Sequence, residues 1–368
     1  MKKIRFFINT LEAGGAEKVL VNLINVLSPK KYNVTLLTIS GGEFVKDLPS
    51  WIYYKQIINN NQILLAKFFK KVIYHLPRVI FNFFFLRGNF DYEIAFMHGF
   101  PTKIMYLKTK SNSKVYAFIH GDFSAKFSVN SLYKDEQECL REYEKFDKVC
   151  FVSQMALDGF EARVGHLNNA MVIHNIIDSA NIIKKSNIQT NIKFQTGGLK
   201  IITVGRLNAV KGFDRLIRIS KELEVFFDFE IIIAGEGEEK IKLEQLIKSL
   251  NVHTVKLVGF QSNPYSIMKQ ADLYVCSSFQ EAYSTSVAEA IVLGLPVLTT
   301  NCAGMDEILE KNKYGIICEN SEITLLKELK SILNNRNLLE KYRNNIKKYQ
   351  LLNKELNLGD YSKILIED

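Results

Sequence analysis

Short runs of β-branched and aromatic residues alternate with helix-patterned stretches along nearly the whole chain, and the alternation breaks once and starts again. IRFFIN, VTLLTIS, YEIAFM, KVYAFIH, KVCFVS and AMVIHNIID occupy the first half; KIITVGRL, FEIIIAGEG, TVKLVGF, LYVCSS and PVLTTN occupy the second. Strands separated by helices build parallel sheets, because a parallel pair needs a long crossover and the helix supplies it. The polar, Asn- and Lys-rich stretch SANIIKKSNIQTNIKFQTGG interrupts the rhythm and is expected to contain a connection between domains. A chain of 368 residues also suits two domains, each able to bury its own core.

The expected fold is therefore α/β: two facing, Rossmann-like, doubly wound parallel-sheet domains, at residues 1–180 and 181–345. Ligands bind such sheets at the strand C-terminal ends, which here would line a shared crevice. The charged helical tail, 346–368, is expected to cross back onto the first domain.

Hydrophobic residues at 47% and charged residues at 24% are globular values and argue against disorder or a fibrous chain. The five cysteines are scattered without a C-x-x-C pair, which fits a reducing compartment and no structural zinc. The opening apolar run breaks at Asn9, too soon for a signal-peptide core, and no stretch approaches the roughly 20 apolar residues that span a bilayer. The location read from this is cytoplasmic.

The net charge of +9 is concentrated in the first half. No acidic residue lies between Leu48 and Phe90, whereas Lys55, Lys67, Lys70, Lys71, Arg78 and Arg87 do. Within 62–90, Leu65, Phe69, Val72 and Leu76 fall at helical spacing with lysines between them. Such a basic amphipathic segment could lie on the anionic cytoplasmic face of the inner membrane, or be a core-facing helix with solvated lysines. Nucleic acid is not expected as a partner, since no recognition motif accompanies the charge.

Several chemistries lose support because their motifs are missing: G-x-G-x-x-G, G-x-x-x-x-G-K-[ST], H-E-x-x-H, G-x-S-x-G and D-x-D. Neither a dinucleotide cofactor nor a metal is expected. What remains are loops that follow strands. Gly14 and Gly15, in TLEAGGAEK, let the backbone approach a ligand at a helix N-terminus, although a lone Gly-Gly is more often a tight turn. In VGRLNAVKGFDRLI, Arg206 and Lys211 share one loop between Gly205 and Gly212, so that two cations could converge on a diphosphate. In CSSFQEAYSTSVAEAIVLGLPVLTT, Glu281 falls on a loop and Glu289 about a turn into a helix capped by Ser284 or Thr285. Carboxylates there could accept from vicinal hydroxyls, while the N–H groups of Tyr283, Ser284 and Thr285 bind phosphate.

These stretches, with Gly235, Gly237, NPYSIMKQADLYV and GMDEIL, resemble the retaining glycosyltransferases of family 4, which have the GT-B fold. The resemblance spans essentially the whole chain, and IAFMHGFPTKI, FIHGD, VCFVSQ and VIHNIID are most similar to enzymes of bacterial capsule, exopolysaccharide or O-antigen assembly. It implies that a hexose or N-acetylhexosamine passes from a nucleotide diphosphate sugar, a UDP-sugar being the expected donor, to a lipid-linked saccharide. Glu289 would hold the ribose, Glu281 the transferred sugar, and Arg206 and Lys211 the diphosphate; Gly14, Gly15 and His120 would contribute from the first domain. Two positions depart from the family pattern. His98 stands where an acidic residue is usual, and Ala282 replaces a glycine, at a cost on the order of 1 kcal/mol if that position needs positive φ. A UDP-N-acetylhexosamine 2-epimerase-like enzyme or a non-catalytic sugar-nucleotide-binding protein are the competing readings.

Overall fold

A computed structural model describes residues 1–12, 14–58, 72–123, 133–352 and 361. The first third of the basic amphipathic stretch predicted at 62–90, from 62 to 71, therefore lies outside the described residues. By its internal contacts the chain divides into Met1–Ile176 with Leu358–Asp368, and Ile177–Asn357.

The first unit holds strands β1 (Lys2–Ile8), β2 (Tyr32–Thr38), β3 (Tyr53–Gln56), β4 (Tyr92–Ala95), β5 (Lys114–Ile119), β6 (Lys148–Phe151) and β7 (Ala170–Val172). They form a parallel sheet in the order β3-β2-β1-β4-β5-β6-β7. The second holds β8 (Leu199–Val204), β9 (Phe229–Ala234), β10 (Val255–Leu257), β11 (Leu273–Cys276), β12 (Val297–Thr300) and β13 (Gly315–Cys318), parallel in the order β10-β9-β8-β11-β12-β13. The doubly wound α/β class read from the sequence is thus what forms. Each sheet reverses its direction of growth once, between β1 and β4 in the first and between β8 and β11 in the second.

Both faces of each sheet are covered, so the strands are apolar along their length rather than alternating. One face of the first sheet carries a core built around Phe7, Phe81, Ala117 and Phe151, the other a core around Phe6, Ile24, Leu36 and Phe96. The second sheet is sandwiched between a cluster around Ile201, Leu216, Ile231 and Leu329 and another around Ile202, Val287, Tyr274 and Met305. Helices begin where a short polar side chain can accept from an otherwise unpaired amide: Asp135, Ser153, Asp178 and Ser321 each cap the turn that follows. In the Gly15–Val26 helix, Val19, Leu20, Leu23 and Ile24 form the buried stripe.

The polar stretch from Ser179 opens as a helix, Ser179–Ser186, that buries Ile182 in the second unit's core. The Asn337–Leu352 helix likewise buries Ile346 there, whereas Tyr361 stacks on Phe118 in the first unit at 5.9 Å between ring centroids. All five cysteines are free and buried. Among the described residues no helix is long and apolar enough to cross a membrane.

One buried feature departs from the apolar pattern of the strands. Arg5 of β1 faces Glu93 of β4 across the reversal point, and its Nε and Nη2 each donate to the carboxylate at 2.8 Å. Lys108 Nζ adds a third cationic contact to Glu93 at 3.3 Å, and the Arg5 guanidinium lies 4.0 Å over the Phe90 ring. Removing one member leaves the other charge stranded, at roughly 3–5 kcal/mol, whereas replacing both with apolar residues restores much of the loss. Urea unfolding is therefore expected to show Arg5→Met well below the wild type and Arg5→Met/Glu93→Met recovering most of the difference.

Candidate functional site

In an open parallel sheet the loops after the strands flanking a reversal point diverge to opposite faces and leave a hollow for ligand. In the second unit those strands are β8 and β11, and their loops are the two stretches singled out from the sequence, residues 205–212 and 277–284. They are locked backbone to backbone. Gly212 adopts φ of 61°, a left-handed conformation open to glycine, and a Cβ there would collide with the Ser277 carbonyl oxygen. The Ser277 hydroxyl returns a hydrogen bond to the Lys211 carbonyl at 3.0 Å.

This contact places Lys211 Nζ 2.5 Å from Glu281 Oε1, and Ser278 Oγ donates to the same oxygen at 2.7 Å. Among the described residues Oε2 has no hydrogen-bond partner. Lys211 and Glu281 side chains are mostly shielded, 23% and 11% exposed. Burial, the largest single influence, would lower the lysine pKa, but the charge and hydrogen bond of Glu281 together with nearby Cys276 and Cys302 outweigh it, and the net shift is upward, so Lys211 stays protonated. Gly205 lies beneath the lysine stem, where a Cβ would meet Cε at an ordinary 3.5 Å. Arg206, in the same loop, is exposed, and its side chain makes no hydrogen bond or ion pair to any described residue.

A residue that sequence reasoning passed over organises this loop pair. Arg215, on the Phe213–Leu223 helix, is buried without a carboxylate partner among the described residues: its Nε donates to Ser277 O at 2.8 Å and its Nη2 to Ser278 O at 2.7 Å. Nη1 reaches Asn320 Oδ1 at 2.9 Å, and the guanidinium packs 4.0 Å over the Phe279 ring. Carbonyl dipoles rather than an anion thus balance the charge. The signal was an arginine on the apolar side of an amphipathic helix, where a solvated residue would not stand.

Gly235 and Gly237 have a structural part. A Cβ at either would strike the backbone of Gly205 or Leu207, and amides of Leu207 and Glu239 bridge the two loops at 2.8 and 3.0 Å. They press the Arg206 loop into place. Ala282 is not among the residues with positive φ, so its substitution for glycine carries no backbone strain; the left-handed residue nearby is Gly304, φ 78°, packed beneath the Ala282 carbonyl.

Ser284 is the N-cap of the Thr285–Val292 helix, yet its hydroxyl pairs with Ser286 Oγ at 3.2 Å rather than with the first-turn amides, leaving them uncapped by a side chain. Tyr283, next to it, is enclosed enough that burial pushes its phenol upward. Glu289 is buried on this helix and accepts from the Tyr265 hydroxyl at 3.3 Å. The structure therefore joins Lys211, Ser278 and Glu281 in direct contact and sets Glu289 on the adjoining helix with a partner of its own. Among the described residues no group of three or more His, Cys, Asp or Glu side chains is arranged to hold a metal ion.

The first unit repeats the logic at β1, β4 and β5. The loop after β1 leads through Gly14, the uncapped N-cap, into the helix beginning at Gly15, and Gly42 lies so close to Leu11 that a Cβ would collide with its backbone. His98 follows β4 and His120 ends β5. The His120 ring packs on Phe96 at 4.9 Å between centroids, and its Nε2 is buried without a hydrogen-bond partner among the described residues. Gly121 leaves room for the His98 ring against the backbone. Burial lowers His98 to about 4 and His120, with a further push from His98, to about 3. Both imidazoles are neutral at physiological pH, so His120 can offer a hydrogen bond but not a charge.

Two parallel-sheet units, each with its polar loops gathered at the sheet's reversal point, define the GT-B class of glycosyltransferases. A family model described as Glycosyltransferase Family 4 matches residues 13–181, and one described as Glycosyl transferases group 1 matches 172–349. The chain belongs to glycosyltransferase family 4. It is 27% identical over 372 residues, 94% of each chain, to an N-acetylgalactosamine-N,N'-diacetylbacillosaminyl-diphospho-undecaprenol 4-alpha-N-acetylgalactosaminyltransferase of Campylobacter jejuni. The O-antigen biosynthesis glycosyltransferase WclY of Escherichia coli is 29% identical over 170 residues, 45% of this chain and 46% of that protein. Among solved structures, Anabaena HepE in complex with UDP and glucose superposes with a TM-score of 0.75 at 18% identity, over 100% of this chain and 99% of that one.

The two histidines set a pH dependence with a definite sign. Well above pH 6.5 both rings are neutral whether folded or unfolded. As pH falls from there toward about 4, the unfolded chain takes up protons that the folded rings refuse, and the folded state loses stability. Urea unfolding is expected to give a smaller free energy at pH 5 than at pH 7, and His120→Phe to narrow that gap; an equal gap in the variant would assign the loss to other groups.

Proposed function

We propose that the protein transfers a hexose or N-acetylhexosamine from a UDP-sugar, with retention of anomeric configuration, to a lipid-linked saccharide in the assembly of a bacterial surface polysaccharide. The observation that carries this reading is the convergence of Lys211, Ser278 and Glu281 beside an unpaired Arg206 at the ends of β8 and β11. It sets two cations and a carboxylate with one open oxygen within a single pair of loops. A diphosphate needs the first and a sugar hydroxyl the second.

In this reading residues 181–345 hold the donor and 1–180 face the acceptor, and the chain returns to the first unit only beyond the Asn337–Leu352 helix, whose Ile346 packs in the second. Glu289, oriented by Tyr265, takes the ribose hydroxyls, and the amides of Tyr283, Ser284 and Thr285 approach the phosphates. Gly205 keeps the floor of the site low beneath Lys211. Gly14, Gly15 and the neutral His120 contribute from the first domain. The bond between the anomeric carbon and the diphosphate breaks, and the acceptor hydroxyl bonds to that carbon on the same face. Its proton passes to a phosphate oxygen of the leaving group. Arg206 and Lys211 stabilise the charge that builds on the diphosphate, a role fixed donors perform best because they need no reorganisation. Each step runs without a metal.

The names of the relatives support the acceptor class, since the Campylobacter protein acts on a diphospho-undecaprenol saccharide, and the Anabaena protein with UDP and glucose supports the donor. A lipid-linked acceptor requires the enzyme to reach a bilayer. The Arg78–Phe85 helix has the surface for it: Val79, Ile80, Phe83 and Phe84 are 70%, 42%, 57% and 62% exposed, and Arg87 lies 3.8 Å over the Phe83 ring. Exposed aromatic residues beside cations suit the interface of an anionic, cytoplasmic-face membrane.

The central test incubates the protein, without added metal, with a panel of UDP-sugars and a membrane extract containing lipid-linked saccharides. The expected result is acceptor-dependent transfer with the product in the donor's anomeric configuration by NMR, and a fall in kcat on the order of 10²–10³-fold for Arg206→Ala. Product formed without acceptor would favour an epimerase. In a flotation assay, Phe83→Ser/Phe84→Ser is expected to lose binding to phosphatidylglycerol vesicles that the wild type retains.

A further inference from the structure

We infer that Lys211 and Glu281 act as one coupled unit, in which a single cation is shared between the carboxylate that holds the sugar and the diphosphate that leaves. The inference rests on the donor-site reading above and deepens it. Lys211 Nζ pairs with Glu281 Oε1 at 2.5 Å, in surroundings that shield both side chains. A lysine so paired presents an approaching diphosphate with half of a neutral couple, whereas Arg206, exposed and without a partner among the described residues, presents a full charge. A diphosphate that draws on Lys211 must weaken its hold on Glu281.

Glu281 therefore lowers the affinity of the site for a bare nucleoside diphosphate. What restores the balance is the open oxygen: Ser278 Oγ and Lys211 both approach Oε1, and Oε2 has no described partner. A sugar hydroxyl donating to Oε2 offsets what the carboxylate loses, and Ser278 keeps Oε1 in place as Lys211 turns away. Ser278 is thus a positioning residue for Glu281. As the anomeric C–O bond breaks, negative charge grows on the diphosphate and its pull on Lys211 increases, so the exchange favours the transition state over the bound donor.

Calorimetric titration of the intact protein with UDP tests this. Glu281→Gln is expected to bind UDP several-fold more tightly than the wild type, Lys211→Met more weakly, and Glu281→Gln to have no effect when made on Lys211→Met, closing a double-mutant cycle. If the wild type binds UDP and Arg206→Ala weakens it while Glu281→Gln brings no gain, the coupling is wrong and the donor site stands. If the wild type does not bind UDP, both fall. Thermal unfolding without nucleotide checks that each variant folds. Should Glu281→Gln not fold, Ser278→Ala carries the test. With Oε1 then held by Lys211 and by the weak donor Cys276 Sγ at 3.9 Å, UDP binding is expected to weaken, and unchanged or tighter binding would overturn the inference.

Discussion

The buried guanidinium of Arg215 ties the second unit's functional loops to its core. It has no carboxylate partner among the described residues, so its desolvation is met by the carbonyls of Ser277 and Ser278, by Asn320 and by the face of Phe279. Those carbonyls belong to the loop that carries Glu281, and Thr300 Oγ1 and Cys302 Sγ also donate to Ser278 O, at 2.6 and 3.3 Å. Strands β8, β11 and β12 are thereby connected through one residue's main chain. Uncoupling any of these donors would strand a buried charge or carbonyl, which is far costlier than losing a surface hydrogen bond.

Glycines complete the arrangement by letting main chains touch. Gly212 admits the Ser277 carbonyl, and Gly235 and Gly237 admit the loop of Gly205 and Leu207. The result is a rigid base from which long side chains, Arg206 and Lys211, reach out. Charge-bearing groups on such a base hold their orientation as a reaction proceeds, and this is the condition under which electrostatic stabilisation is most effective.

The sheet interiors were legible because parallel strands covered on both faces read as continuous apolar runs. Two edge strands were not: β3 is YYKQ, alternately half-exposed, and β13 is the four-residue GIIC, and neither presents a run that stands out from a loop. The loops bearing Arg206, Lys211 and Glu281 and the helix bearing Glu289 could be placed after strands, but not the pairing of Lys211 with Glu281, which arises from a backbone contact between segments some seventy residues apart. The partners of Arg215 were invisible for the same reason. A spacing pattern reports which face of a helix is buried, not what a charge on that face will find there. Ala282 ran the other way: a cost conditional on positive φ at that position vanishes because Ala282 does not have it.

The Arg5–Glu93 pair has a consequence for how the first sheet is specified. Apolar strands of similar composition can slide or exchange neighbours at little loss, since one isoleucine serves nearly as well as another. A bidentate ion pair between β1 and β4 cannot. A shift of one residue would turn both charges to opposite faces of the sheet, each in apolar surroundings. The pair thus encodes which strand lies beside β1 and in what alignment, and it does so at the reversal point, where an error in neighbour choice would move the hollow that the loops of Gly14, His98 and His120 surround.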